Sequence, residues 1–182
     1  MDAEEQVAEM IQTLTDAQDD ELLSSHKYLS FVIHEQSYGI PISRIKEIIE
    51  YVSVTRVPMV PDEIRGVINL RGRVVPVVDL SVRLDKASSE VSKRTCIVIV
   101  EVTAGEEKTD IGFVVDAVTE VMNINDSMTE EPPSFGLNLR SDFVQSMGKV
   151  DNGFAVLLDV DKVLSIEDLS FLVSGESESV AV

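Results

Sequence analysis

The sequence predicts an all-β fold with short helices. Three observations carry that expectation: apolar residues alternate over short stretches, turn signals separate those stretches at close spacing, and only brief segments show helical spacing. Such a pattern belongs to β-barrels or a sandwich. The chain has 182 residues, and 44% are hydrophobic, enough to bury the core of one domain or two small ones.

The elements follow in order. Residues 1–26 hold eight acids and no Lys or Arg, with Val7, Met10, Ile11 and Leu14 at helical spacing. The apolar pattern lapses through TDAQDDE, so this leader reads as a frayed amphipathic helix or a disordered segment. In KYLSFVI, Leu29, Phe31 and Ile33 share one face; a polar turn at HEQS leads to YGIPI, and the pair reads as a hairpin. Ser43 reads as the N-cap of a short helix carrying Ile45, Ile48 and Ile49 on one stripe. VSVTRV at 52–57 returns to strand before Pro58 and Pro61 impose an extended connection.

Residues 67–70 and 73–78 are two strands around a tight turn at Gly72, which takes positive φ without a Cβ clash. Pro76 lacks a ladder donor, so its strand is expected to be an edge or to carry a bulge. Asp79 precedes LSVRL as a helix N-cap. After a polar loop at 85–93, residues 95–103 form a strand apolar on both faces, hence central, and AGEEK turns into DIGFVVDAV. A long irregular connection spans 123–138; Asp151-Asn152-Gly153 then joins DFVQSMGKV and FAVLLDV as a hairpin, and helical turns lead into an acidic tail. GRVVPVVDL at 72–80 and GFAVLLDV at 153–160 echo each other: turn, apolar run, then Asp before a short helix. That echo points to two similar lobes.

Charge excludes some functions. The formal net charge is −18, from 33 acids and 15 bases, which argues against a nonspecific binder of nucleic-acid backbone. Ten of the fifteen bases lie between Arg44 and Arg94, so the first half of the body is the more basic one. A single Cys leaves no intramolecular disulfide framework, MDAEE lacks the features of a secretory signal, and no apolar run is longer than CIVIV at 96–100. A cytoplasmic protein without membrane insertion is expected. The two histidines, His26 and His34, have no metal-ligand spacing, and Cys96 lies within a strand, so no metal and no cofactor is expected. Asp79, Asp116 and Asp159 each end an apolar strand, but none carries the Thr-Gly or Ser-Gly of an aspartic-protease dyad. Helix capping explains them better than catalysis, and the chain is not expected to be an enzyme.

One stretch, RGVINLRGRVVPVVDL at 65–80, closely resembles the signature of CheW-like domains, the adaptors of bacterial chemotaxis. YGIPISRIKEII (38–49), IGFVVDAVTEVM (111–122), EEPP (130–133) and AVLLDVDKVLS (155–165) match further parts of that pattern in order. The resemblance implies two SH3-like five-stranded β-barrel lobes sharing a core. It covers a CheW-like domain at 27–166, with lobes of roughly 27–90 and 91–166 between which the chain can cross; the acidic leader at 1–26 and the acidic C-terminal helix or tail at 167–182 depart from the family pattern. It further implies an adaptor between the cytoplasmic tips of chemoreceptors (methyl-accepting chemotaxis proteins) and the regulatory domain of a CheA-like histidine kinase. An adaptor of a twitching or other non-flagellar system has the same sequence pattern. By resemblance, the residues that bind receptor or kinase are Ile45, Glu47, Gly66, Arg71 and Val118, with Glu47 and Arg71 near one another. An apolar groove lined by the helix of Ile45 and the segment of Val118 is expected to take a receptor helix hairpin. Two other readings stand beside this one. An aspartate-dependent hydrolase needs two of Asp79, Asp116 and Asp159 together in a cleft, and a self-assembling structural protein binds itself and no kinase.

Overall fold

The computed structural model describes residues 7–12, 26–84, 86–104, 107–131, 143–151 and 153–164. Its strands are β1 (Lys27–Ile33), β2 (Gln36–Pro41), β3 (Ile45–Glu50), β4 (Ile64–Leu70), β5 (Arg73–Asp79), β6 (Cys96–Ala104), β7 (Glu107–Val115), β8 (Ala117–Asn123), β9 (Thr129–Glu130), β10 (Val144–Val150) and β11 (Gly153–Leu158). Among the described residues three short α-helices, α1 (residues 7–12), α2 (Leu80–Arg83) and α3 (Val160–Val163), accompany them. The strands form two sheets, ordered β8-β1-β2-β11-β10-β9 in lobe I and β3-β6-β7-β5-β4 in lobe II.

Alternation explains how two sheets share one core. In β6, Cys96, Val98, Val100 and Val102 face the large common cluster, while Ile97 and Ile99 face a separate cluster inside lobe II with Ile68, Val75, Val77 and Val114. In β1, Leu29, Phe31 and Ile33 face the common cluster, and Tyr28 joins Met122, Ile124, Ala155 and Leu157 inside lobe I. Each lobe therefore curls around its own small core and presses its other face on its neighbour. Phe31 and Phe113 meet across that junction with ring centroids 5.6 Å apart.

The echo in the sequence is a true structural repeat, and the chain exchanges strands between its halves. The first half supplies the β1–β2 hairpin to lobe I and β3, β4 and β5 to lobe II; the second supplies the β6–β7 hairpin to lobe II and β8, β10 and β11 to lobe I. Register confirms the equivalence. Val77 pairs in parallel with Gly112, and Leu157 with Gly39. The Asp79 N–H donates to the Glu63 carbonyl at 2.7 Å, and the Asp159 N–H to the Phe143 carbonyl at 2.9 Å. Both aspartates cap the helix that follows, accepting from the N–H of Val82 and of Lys162. The sheets thus divide at residues 41–45 and 115–117, and a lobe boundary near residue 90 does not match them. Arg83 of α2 ties the halves together: its Nε donates to the Val163 carbonyl at 2.8 Å, and its guanidinium lies over the Phe143 ring.

Four further expectations need correction. The segment after Ser43 is a 3-10 turn, Ile42–Arg44, followed by strand β3, not a helix. The register of β3 against β6 slips between Ile45 and Glu47, so Lys46 is an extra residue. That bulge puts Ile45 and Ile48 on the same face three residues apart, which imitates helical spacing in a β-branched strand. Residues 52–57 pair only at one bridge, Thr55 with Val67. Strand β5 is internal rather than an edge; its parallel ladder to β7 begins at Val77, one residue past the missing donor of Pro76, and the bulge sits opposite, in β4. The leader is not merely an acidic extension, because Val7 and Met10 of α1 are buried in the common core. The tail at 167–182 lies outside the described residues.

Candidate protein-interaction site

The β4–β5 turn builds the site. Arg71 and Gly72 take positive φ of 54° and 83°, the geometry of a two-residue hairpin turn, and the Gly72 N–H donates to Asn69 Oδ1 at 2.9 Å. That bond gives Asn69 a local role. The turn lifts Arg71 beside β3, where its Nη2 donates to Glu47 Oε1 at 2.9 Å. The Arg71 side chain is 78% exposed and that of Glu47 21%, so the pair adds little to stability, about 0–1 kcal/mol. Its remaining guanidinium donors face solvent in a fixed direction.

The other expected positions take different places. Ile45 and Val118 are buried in the common core, so they do not line an open groove; each sits beside a bulge that shapes the surface above it. The two are register equivalents in the repeat: β3 slips after Ile45, and β8 slips against β1 after Val118. Gly66 follows the β4 bulge with φ 144°, and a Cβ there would lie 2.0 Å from the Thr55 carbonyl oxygen. Close backbone approach explains that glycine.

Three residues that reading by motif missed complete the site. A cavity of about 220 Å3 beside the turn is lined by Lys46, Glu47, Leu70, Arg71, Arg73, Val75, Ile99 and Asp110. Asp110 is buried, and its carboxylate meets Lys46 Nζ at 3.1 Å and Arg73 Nη1 at 2.9 Å. The bond from Asp110, with further help from Glu101, holds the Lys46 ammonium pKa above its ordinary value against the opposing effect of burial. The only advance signal was the crowding of bases between Arg44 and Arg94.

A larger cleft of about 540 Å3 lies under the 51–62 loop, and of the three strand-end aspartates only Asp79 lines it. Arg65 occupies its floor: Nε donates to Asp79 Oδ2 at 3.0 Å, Nη1 to the Tyr51 hydroxyl at 3.1 Å, and Nη2 to Ser88 Oγ and the Ser89 carbonyl. This network staples the polar loop to the sheet. Asp116 accepts from the His34 N–H at 2.9 Å, and Asp159 caps α3. The strand-end carboxylates are each engaged in local bracing, and the cleft is lined by Asp79 alone of the three. Burial pushes the Cys96 thiol up to about 11, leaving it a buried hydrophobe.

Two β-lobes on a shared core, presenting a directed guanidinium and a small cation-rimmed cavity, define a scaffold-type binding module. The family described as the CheW-like domain matches residues 27–168, and the chain belongs to it. The chain is 32% identical over 157 residues to the chemotaxis protein CheW of Thermotoga maritima, covering 85% of this chain and 94% of that one. Identity to the chemotaxis protein CheW of Klebsiella aerogenes is 30% over 146 residues, covering 80% and 86%. Among solved structures, the scaffolding protein TtCheW of Thermoanaerobacter tengcongensis superposes with a TM-score of 0.67 at 33% identity, covering 74% of this chain and 84% of that one. The family places the chain among chemotaxis adaptors. No helix among the described residues is long and apolar enough to cross a membrane.

Proposed function

We propose that this chain couples the cytoplasmic tips of chemoreceptors to the regulatory domain of a CheA-like histidine kinase, as a cytoplasmic adaptor that performs no chemistry itself. The observation that carries the reading is the Glu47–Arg71 pair. It is too exposed to serve folding, yet it fixes a guanidinium at the tip of a rigid hairpin. A receptor helix hairpin offers carboxylates and backbone acceptors to such a group, and the half-buried Leu70 sits beside it over the buried Val75 and Ile99. Each contact of this size is weak, and an array of receptors and kinases supplies avidity. Receptor and kinase then influence one another through the adaptor, because coupling between sites is reciprocal.

Kinase autophosphorylation tests the proposal. Adding this protein to a cognate kinase is expected to change the rate only when receptor is present. A change without receptor, or a hydrolytic or phosphotransfer activity of the purified chain, contradicts it.

A further inference from the structure

We propose that Asp110 is a positioning residue: its buried carboxylate clamps Lys46 and Arg73 so that, with Arg71, they form a preorganised three-cation rim for an acidic side chain of the partner. The proposal rests on the coupling role of the Arg71 surface and adds the chemistry of what that surface takes.

A buried carboxylate is costly unless paired, and Asp110 is paired twice with cations whose side chains stay 43% and 64% exposed. The arrangement therefore holds two long, flexible side chains at the rim of the cavity while their charged ends stay open to solvent. With Glu47 and Asp110 counted against Lys46, Arg71 and Arg73, the cavity carries one net positive charge on a chain of −18. An acidic partner group meets attraction there and repulsion over most of the remaining surface.

The repeat shows that the fold does not need this network. Glu47 pairs with Ile99 and Ile99 with Gly112; in lobe I, Glu120 pairs with Ser30 and Ser30 with Gly39. That register sets Lys46, Arg73 and Asp110 of lobe II against Thr119, Gly153 and Ser37 of lobe I, none of them charged. The same strands close without the clamp, so its presence on one lobe serves what that lobe binds.

Two effects of opposite sign make the test sharp. Removing the charge of Asp110 makes the cavity more positive, which strengthens binding of an acidic partner if charge alone matters; it weakens binding if position matters. A soluble fragment of the chemoreceptor cytoplasmic tip is titrated against wild type, Asp110→Asn and Glu120→Gln at fixed salt. Both substitutions raise the net charge equally, but Glu120 is exposed on lobe I, away from the cavity lining, and touches no member of the rim. Asp110→Asn is expected to bind about tenfold more weakly, and Glu120→Gln at least as tightly as wild type. Equal or tighter binding by a folded Asp110→Asn overturns the proposal. If that variant does not fold, Arg73→Met removes an exposed member of the rim, and wild-type affinity there overturns it instead. Failure of wild type to bind the tip sinks the coupling role, and the clamp is then judged by NMR of the free protein. It predicts faster rotation of the Arg73 guanidinium and a lower Lys46 titration midpoint in Asp110→Asn; unchanged values reject it.

Discussion

Lobe II and lobe I turn the same hairpin toward solvent with opposite charge. In lobe II the turn carries Arg71, paired with Glu47 on the neighbouring strand. In lobe I the equivalent turn carries Asp151, and the equivalent strand position is Glu120. Both are exposed, and among the described residues neither makes an ion pair. What the two lobes keep in common is apolar register, a pair of equivalent bulges (in β3 and β4, and in β8 and β10) and an aspartate cap. Those features make the fold. Charges at the turn are free to differ, so the features that occur once are the places to look for local bracing or for binding.

Gly66 and Ser146 occupy equivalent places after the bulges of β4 and β10, and they break the comparison most severely. Gly66→Ala drives a Cβ into the Thr55 carbonyl at a positive φ and is expected to cost roughly 4 kcal/mol or more. Ser146→Ala is expected to cost less than about 0.5 kcal/mol, and chemical denaturation of both measures the contrast. If the Ser146 variant is the worse of the two, the assigned register is wrong.

Asp79 and Asp159 cap equivalent helices, but only Asp79 also holds Arg65 and Ser88. Asp79→Ala leaves a mostly buried guanidinium without its carboxylate, and a loss of about 3 kcal/mol is expected. Asp159→Ala removes a cap alone, worth about 1 kcal/mol. Equal losses in equilibrium unfolding would mean that the Arg65 network does not brace the loop.

The leader sharpens the comparison in another way, because it joins the core that both lobes share. Val7→Ser together with Met10→Ser is expected to lower stability by roughly 2 kcal/mol, since both side chains are buried in that core. A melting temperature equal to wild type would return the leader to the role of a dispensable acidic segment.

Much of this was legible from local chemistry. The β4–β5 hairpin was marked by Gly72 inside an apolar run, and both aspartate caps by Asp before a short apolar helix. Strand β3 was not, because the extra residue Lys46 converts the two-residue repeat of a strand into a three-residue spacing. Burial of Val7 and Met10 is tertiary, and their stripe alone does not say what it packs on. The exchange of strands between lobes rests on pairings remote in the chain, as between Ile45 and Val100. The clamp at Asp110 joins three strands that only the fold brings together, so no motif announces it.

The most direct test of the proposed coupling surface is a double-mutant cycle on Glu47 and Arg71, read as binding to the receptor tip. Arg71→Glu is expected to abolish most binding while leaving the melting temperature nearly unchanged, since the pair is exposed. Adding Glu47→Arg in the same chain is expected to restore part of it, giving a nonzero coupling energy. A coupling energy indistinguishable from zero, or an Arg71→Glu variant that fails to fold, would contradict the role of this pair.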